Sequence, residues 1–179
     1  SVGRHAIFLV GVVFAAGIAG VLLLSLPPVA LTDDAIADIR EIVIRQTWTH
    51  ISDGRTPVPG AICFIGVGEG MDPATGERDV HDANSAFYAR FIQFEVNVLP
   101  VSRAQFRRGA ELGEVLVDDG EGHGGILLFA GTVSPLRRYK ASCTGGWVAG
   151  GMSGQGFKFT LIWTPFGWRV SDMKTSWQM

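Results

Sequence analysis

One short stretch groups side chains that could do chemistry. VDDGEGHGG, residues 117–125, places Asp118, Asp119, Glu121 and His123 close together in the chain. Oxygen ligands at alternating positions can hold a calcium ion, but the glutamate that closes an EF-hand loop is missing. Because the stretch stands between two predicted strands, we favour a solvated hairpin loop over a metal site.

Histidines offer a second kind of chemistry. His50, His81 and His123 could each pair with an aspartate as an acid–base group. His50 falls near the end of the first predicted helix, where it can also simply face solvent. Since no nucleophile, base and metal ligands converge in the sequence, we assign no catalytic residue, cofactor or metal. The sequence leans away from an enzyme and leaves the question open.

A glycine-rich stretch, GVGEG at residues 66–70, follows a predicted strand. A phosphate-binding loop would also need a lysine and the start of a helix, and both are missing here. We therefore predict that the strand ends at Val67 and that residues 68–82 form a turn-rich loop.

Charge and cysteine content exclude some classes of protein. The 179 residues carry a net charge of −2, so there is no electrostatic case for binding nucleic acid. Cys63 and Cys143 are the two cysteines, and their wide spacing argues against a zinc site. They could form a disulfide in an oxidising compartment, which the sequence leaves open.

The first part of the chain is strongly apolar. Residues 6–26 carry no charged side chain, and as a helix they would span roughly 30 Å, the thickness of a bilayer core. A signal peptide would be shorter and would end in a better cleavage site. We therefore predict a membrane anchor over residues 1–31 and an exported domain over residues 32–179.

Small residues in this segment suggest a helix partner in the membrane. Spacing of about four residues would let another helix approach closely, although glycine and alanine are also common in any membrane helix. The small residues at this spacing are Gly11, Ala15, Ala16, Ala19 and Gly20.

Flanking charges suggest an orientation. Arg4 and His5 precede the apolar segment, whereas Asp33 and Asp34 follow it. The positive-inside rule then keeps the N-terminus in the cytoplasm. We expect a single-pass protein of the inner membrane with a periplasmic C-terminal domain.

The exported domain begins with a predicted helix and ends in strands. Thr32 is a suitable N-cap, and apolar residues from Ile36 onward recur at helical spacing. From residue 114 onward, strands alternate with turn signals, most clearly in GFKFTLIWTPFGWRVSDMKTSW, residues 156–177. This order of elements is typical of an α+β fold.

The order of elements and this C-terminal stretch resemble the NTF2-like (cystatin-like) superfamily over roughly residues 32–177. The resemblance implies a long helix packed on a curved antiparallel sheet. We therefore expect an N-terminal transmembrane helix followed by an NTF2-like domain.

Exposed aromatic and basic residues are candidates for partner contacts. Trp147 and Phe166 stand beside predicted turns, where aromatic side chains often anchor interfaces. Arg137 and Arg138 belong to LRRYK, one of two basic stretches that could meet acidic headgroups or an acidic partner, or could simply be solvated strand edges.

Two functions remain open on these grounds. The first is a non-catalytic accessory, assembly or stabilising subunit of a larger membrane complex of respiratory, photosynthetic or secretion type. Its partners would be integral membrane subunits and the lipid bilayer, and not nucleic acid. The alternative is a membrane-tethered NTF2-like domain that binds or transforms a small apolar ligand.

Overall fold

A long helix and an extended sheet make up most of the described chain. The computed structural model describes residues 31–52, 62–71, 78–94, 96–108, 115–121, 123–137, 139–149 and 153–178. The helices are α1 (Asp33–Ser52) and α2 (Ser85–Ala89), with a 3₁₀ turn at Val101–Arg103. The strands are β1 (Ile62–Met71), β2 (Arg78–His81), β3 (Asn97–Pro100), β4 (Gln105–Arg108), β5 (Val115–Asp118), β6 (Gly125–Arg137), β7 (Lys140–Ala149), β8 (Ser153–Thr164) and β9 (Gly167–Gln178).

The main sheet is mixed and has seven strands. Its order is β2-β1-β6-β7-β8-β9, with β3 also paired to β1, while β4 and β5 form a separate two-stranded sheet. Strand β1 runs parallel to β3 and to β6, and the pairs from β6 to β9 are antiparallel. The expected fold class, a long helix packed on a curved antiparallel sheet, is therefore wrong, because β1 is parallel to two of its neighbours.

The parallel pairing of β1 is accompanied by burial on both faces of the sheet. Ile62, Cys63, Phe64 and Ile65 are consecutive in β1, and all four are buried. Parallel strands typically show such unbroken apolar runs, whereas half-exposed antiparallel strands alternate. The run AICFIGV carried this signal in the sequence.

Each face of the sheet has its own core. On one face α1 buries Ile39, Val43 and Ile44 against a cluster that includes Phe157 and Phe159. The second cluster contains Ile62, Phe64, Val101, Leu127 and Val148, with Phe106 and Trp177 packed against it. The sheet is thus the middle layer of the described structure.

Helix α1 begins where the sequence predicts. Thr32 Oγ1 accepts a hydrogen bond from the Ala35 amide at 3.2 Å, as an N-cap does. Asp33 and Asp34 occupy the first turn, where the helix dipole favours negative charge.

The glycine-rich stretch is part of a strand. We predicted a loop from residue 68, but β1 continues to Met71 and pairs with β2 across a register shift between Val67 and Gly70. Gly68 and Gly70 have φ of 145° and 97°, in the region that favours glycine. The bulge that these two glycines permit lets the strand carry on beyond its predicted end.

The predicted membrane anchor falls largely on residues 1–30, which lie outside the described residues. Among the described residues, no helix is both long enough and apolar enough to cross a membrane.

Candidate functional site

Two hairpins end side by side at one end of the sheet. In the pairing register Arg137 is opposite Lys140, Lys140 is opposite Ile162, and Ile162 is opposite Arg169. Side chains directly opposite one another in antiparallel strands lie on the same face. The end of β6, β7, β8 and β9 therefore carries a row of three cations interrupted by one isoleucine.

The next register position carries two tryptophans. Trp163 is directly opposite Trp168, and successive positions alternate between faces, so this pair lies on the face opposite the cations. The rings meet edge to face with centroids 5.6 Å apart. Trp168 is buried at 6% exposure, whereas Trp163 keeps 39% of its surface exposed.

Apolar side chains are exposed at the tip of the hairpins. Phe166, in the turn between β8 and β9, is 87% exposed, and Leu136, at the register shift near the end of β6, is 49% exposed. We call the exposed side chains of this region the hairpin-end surface. It comprises Leu136, Arg137, Lys140, Trp163, Phe166 and Arg169.

Hydrogen bonds hold the turn between β8 and β9 in place. Thr164 Oγ1 donates to the Gly167 carbonyl at 2.8 Å and accepts from the Phe166 amide at 3.2 Å. Gly167 has φ of 101°, a conformation that other residues rarely adopt. The Phe166 side chain is therefore presented to solvent by an ordered turn.

The second turn is tied to the first. Tyr139, between β6 and β7, has φ of 63°, which is unusual for a bulky residue. Its carbonyl accepts a hydrogen bond from the Trp163 amide at 2.7 Å. The two hairpin ends thus form one continuous surface.

The cations of this surface have no carboxylate partner in the described part of the chain. Arg137, Lys140 and Arg169 make no ion pair there within 4.0 Å. Asp172, further along β9, is 3.4 Å from Lys174. The local charge is therefore positive, although the whole chain has a net charge of −2.

Only part of the predicted contact set comes together. Phe166 and Arg137 lie at the hairpin end, and Arg138 lies outside the described residues. Trp147 pairs with Gln155, so it lies roughly 30 Å along β8 from the turn at Phe166. It is half-buried and packs against the core cluster between α1 and the sheet, which we call the helix-side core.

Sequence reasoning missed Trp163 and Arg169 as members of this surface. The alternation in FKFTLIWT assigned Trp163 to the buried face, on which Phe157, Phe159 and Leu161 are buried. The turn TPFG, which follows directly, was the available signal, because a residue next to a turn lies at the end of its strand.

Cys63 and Cys143 are free, buried thiols, so the disulfide that the sequence left open is absent. Their partners on β6 are Ile126 and Val133, seven positions apart, or roughly 23 Å along the strand. Burial raises the pKa of both thiols to about 12, which disfavours the reactive thiolate.

The acidic loop before β6 forms an internally bonded turn. Asp119 Oδ1 accepts from the amides of Glu121 and His123 at 2.9 and 3.1 Å, and Oδ2 is 2.8 Å from His123 Nδ1. These bonds, that of His123 first, lower the pKa of Asp119 to about 2, while Asp119 raises the pKa of His123. Asp119, Glu121 and His123 could offer ligand atoms within 4.8 Å of one another, but Asp119 already has partners in the loop.

The histidines do not converge on a common site. His50, on α1, packs edge to face on Phe157 with ring centroids 5.1 Å apart. His81 ends β2, and His123 belongs to the exposed acidic loop. The structure gives these three residues separate surroundings.

A cleft of about 450 Å³ opens between the start of α1 and the α2 region, by which we mean residues 82–94. Arg40 and Arg90 line it, and both are engaged: Arg40 Nε donates to the Gly131 carbonyl at 3.1 Å, and Arg90 Nη1 is 2.6 Å from Asp38 and 3.2 Å from Glu41. The remaining lining residues are Asp33, Asp34, Ile36, Ala37, Val67, Asp82, Ala83, Asn84, Ala86 and Phe87. The cleft is thus half apolar and half polar.

Comparison with known proteins gives no relative: no family matches the chain, and no curated protein or solved structure matches it.

Proposed function

We propose that this chain is a non-catalytic accessory or assembly subunit of a larger membrane protein complex, and that the hairpin-end surface is its contact surface. The observation that carries the proposal is the 87% exposure of Phe166, held by an ordered turn beside the exposed Trp163. Exposing an aromatic side chain to water brings no folding benefit, whereas aromatic residues and arginine are enriched at contact surfaces.

The composition of the surface supports a membrane setting. Three cations form a row on one face at this end of the sheet, and the exposed Trp163 lies on the opposite face one register position nearer the turn. Tryptophan and long basic side chains are favoured where protein meets headgroups and the ends of membrane subunits. An inner-membrane location with a periplasmic domain remains part of this proposal.

Site-specific photo-cross-linking in native membranes tests the proposal. A photoreactive amino acid at position 166 should give cross-linked products with lipids or subunits of the membrane, and the chain should co-migrate with membrane subunits on a native gel. The matched control is position 92, since Ile92 is an equally exposed apolar residue, at 82%, far from the hairpin turns in sequence. Migration as a lone particle, with equal and diffuse labelling from both positions, contradicts an accessory subunit.

The cleft supports a second candidate function, binding of a small ligand. Its walls combine Ile36, Val67 and Phe87 with the polar groups of Arg40 and Asp82, a mixture suited to a partly apolar molecule. Native mass spectrometry of the chain from its host should then show a bound small molecule. An Ala86→Trp variant, which narrows the cleft, should lose that molecule; a wild-type chain without any adduct contradicts ligand binding.

A further inference from the structure

We propose that the hairpin-end surface docks on an anionic lipid bilayer, with Phe166 inserted among the lipids and Arg137, Lys140 and Arg169 at the level of the headgroups. This inference rests on the proposed function, since it names the partner of the same surface.

The depth of the groups matches a membrane interface. The cation row is at the register of Ile162 and Arg169, and two further paired positions precede the turn that holds Phe166. At about 3.3 Å per residue, the tip lies roughly 10 Å beyond the cations. Apolar groups of membrane-surface proteins enter the headgroup–acyl boundary by roughly 5–10 Å. The phenyl ring can therefore reach the acyl chains while the cations stay among phosphates.

Charge complementarity selects anionic lipids. Arg137 and Lys140 are directly opposite each other on neighbouring strands, where like charges repel, and neither they nor Arg169 has a carboxylate partner in the described residues. An anionic surface removes this repulsion, and each cation near it strengthens binding about five-fold. Arg138, outside the described residues, adds a fourth positive charge to this part of the sequence.

The apolar tip is small, which favours a bilayer over a folded protein partner. A stable protein interface buries about 800 Å² on each side around a core depleted in charge. Here three exposed apolar side chains, Leu136, Trp163 and Phe166, lie beside a row of cations. Trp163, on the opposite face from the cations, has the amphipathic ring that is enriched at headgroup level.

Lipid quenching of a local fluorophore tests the inference in the full chain. Pro165→Cys places a thiol in the exposed turn beside Phe166, while the native thiols of Cys63 and Cys143 are buried and unreactive. The labelled chain is reconstituted in vesicles of phosphatidylcholine with or without one-third phosphatidylglycerol, each carrying brominated lipid. Ile92→Cys is the matched control, because a label there reports contacts of an exposed apolar site away from the hairpin end.

We expect the label at 165 to be quenched at least three-fold more than the label at 92 in anionic vesicles, and weakly in neutral vesicles or at 0.5 M NaCl. Adding Phe166→Ser, or Lys140→Gln with Arg169→Gln, should abolish most of that difference. Equal quenching at both positions, or quenching that ignores lipid charge, overturns the inference. If position 166 nevertheless cross-links to a protein subunit in native membranes, the accessory function stands and only the lipid partner is wrong.

Discussion

Trp163 and Trp168 stand opposite each other on neighbouring strands with ring centroids 5.6 Å apart, yet one is 39% exposed and the other 6%. The pair joins the helix-side core, which contains Trp168, to the hairpin-end surface, which contains Trp163. The pair therefore places one tryptophan in the core and the other in the proposed contact surface.

The difference in exposure predicts that the same substitution has different effects at the two tryptophans. Trp168→Ala should cost about 3–5 kcal/mol of unfolding free energy, because it empties a buried site. Trp163→Ala should cost about 1 kcal/mol or less and should instead weaken membrane association. Urea denaturation followed by far-UV circular dichroism measures the free energy of unfolding of both variants. Equal destabilisation by the two variants would show that the exposure difference does not govern stability.

The exposed tip should be dispensable for folding. Phe166→Ser should change the free energy of unfolding by less than about 0.5 kcal/mol, since the ring has few contacts to lose. Ile92→Ser is the control of similar exposure. Brominated-lipid quenching of a label at position 165 in the full chain should separate them: Phe166→Ser should lose the quenching and Ile92→Ser should keep it. A reversed pattern would move the contact surface to the α2 region.

The sequence predicted those features of the structure that depend on a few neighbouring residues. Thr32 and the acidic first turn predict the start of α1, and the TPFG turn predicts the hairpin between β8 and β9. The parallel partners of β1 were not predicted, because pairing of Ile62 with Gly125 and Asn97 is a long-range choice. The apolar run of β1 indicates burial on both faces, but it does not show which strands pair with β1.

The hairpin-end surface was partly predictable for the same reason. Phe166 and Arg137 stand out beside turn residues, so local sequence was sufficient to select them. That Arg137, Lys140 and Arg169 share one row depends on the register across four strands. The sequence grouped Trp147 with Phe166 because both flank turns, but turn residues alone do not say which end of a sheet they occupy, and the two lie far apart along β8.

An ion-pair network should fasten the α2 region to α1. Arg90 Nη1 bonds Asp38 and Glu41, and Arg45 Nη2 donates to the Arg90 carbonyl at 2.8 Å. We expect Arg90→Met to cost about 1 kcal/mol, because these pairs are partly exposed and screened. A double-mutant cycle with Asp38→Asn in urea should show coupling that shrinks at 0.5 M NaCl. Strict additivity would show that the pair contributes nothing.

The two thiols should be silent in the folded protein. A pKa of about 12 leaves almost no thiolate at pH 8, and burial excludes reagents. Iodoacetamide should therefore modify neither Cys63 nor Cys143 under native conditions and both in 6 M guanidinium chloride. Mass spectrometry counts the adducts. Failure to alkylate both in denaturant without a reductant would indicate a disulfide and contradict the structure.

The acidic loop predicts a local pH dependence with a definite sign. The Asp119 hydrogen bond raises the pKa of His123 above 6.5 in the folded protein, so the folded state binds its proton more tightly. This raised pKa stabilises the folded state fully at pH values below the pKa of His123 in the unfolded chain. The stabilisation is lost as pH rises through the pKa of His123 in the folded state. The lowered pKa of Asp119, about 2, matters at acidic pH. Its stabilisation of the folded state is present above pH of about 3.8 and is lost as pH falls towards 2.

NMR titration of the His123 imidazole protons checks this prediction. The wild-type midpoint should lie above 6.5, and Asp119→Asn should shift it down towards that value, since the acceptor charge is removed. A His123 midpoint that Asp119→Asn leaves unchanged would show that the 2.8 Å contact does not bind the proton.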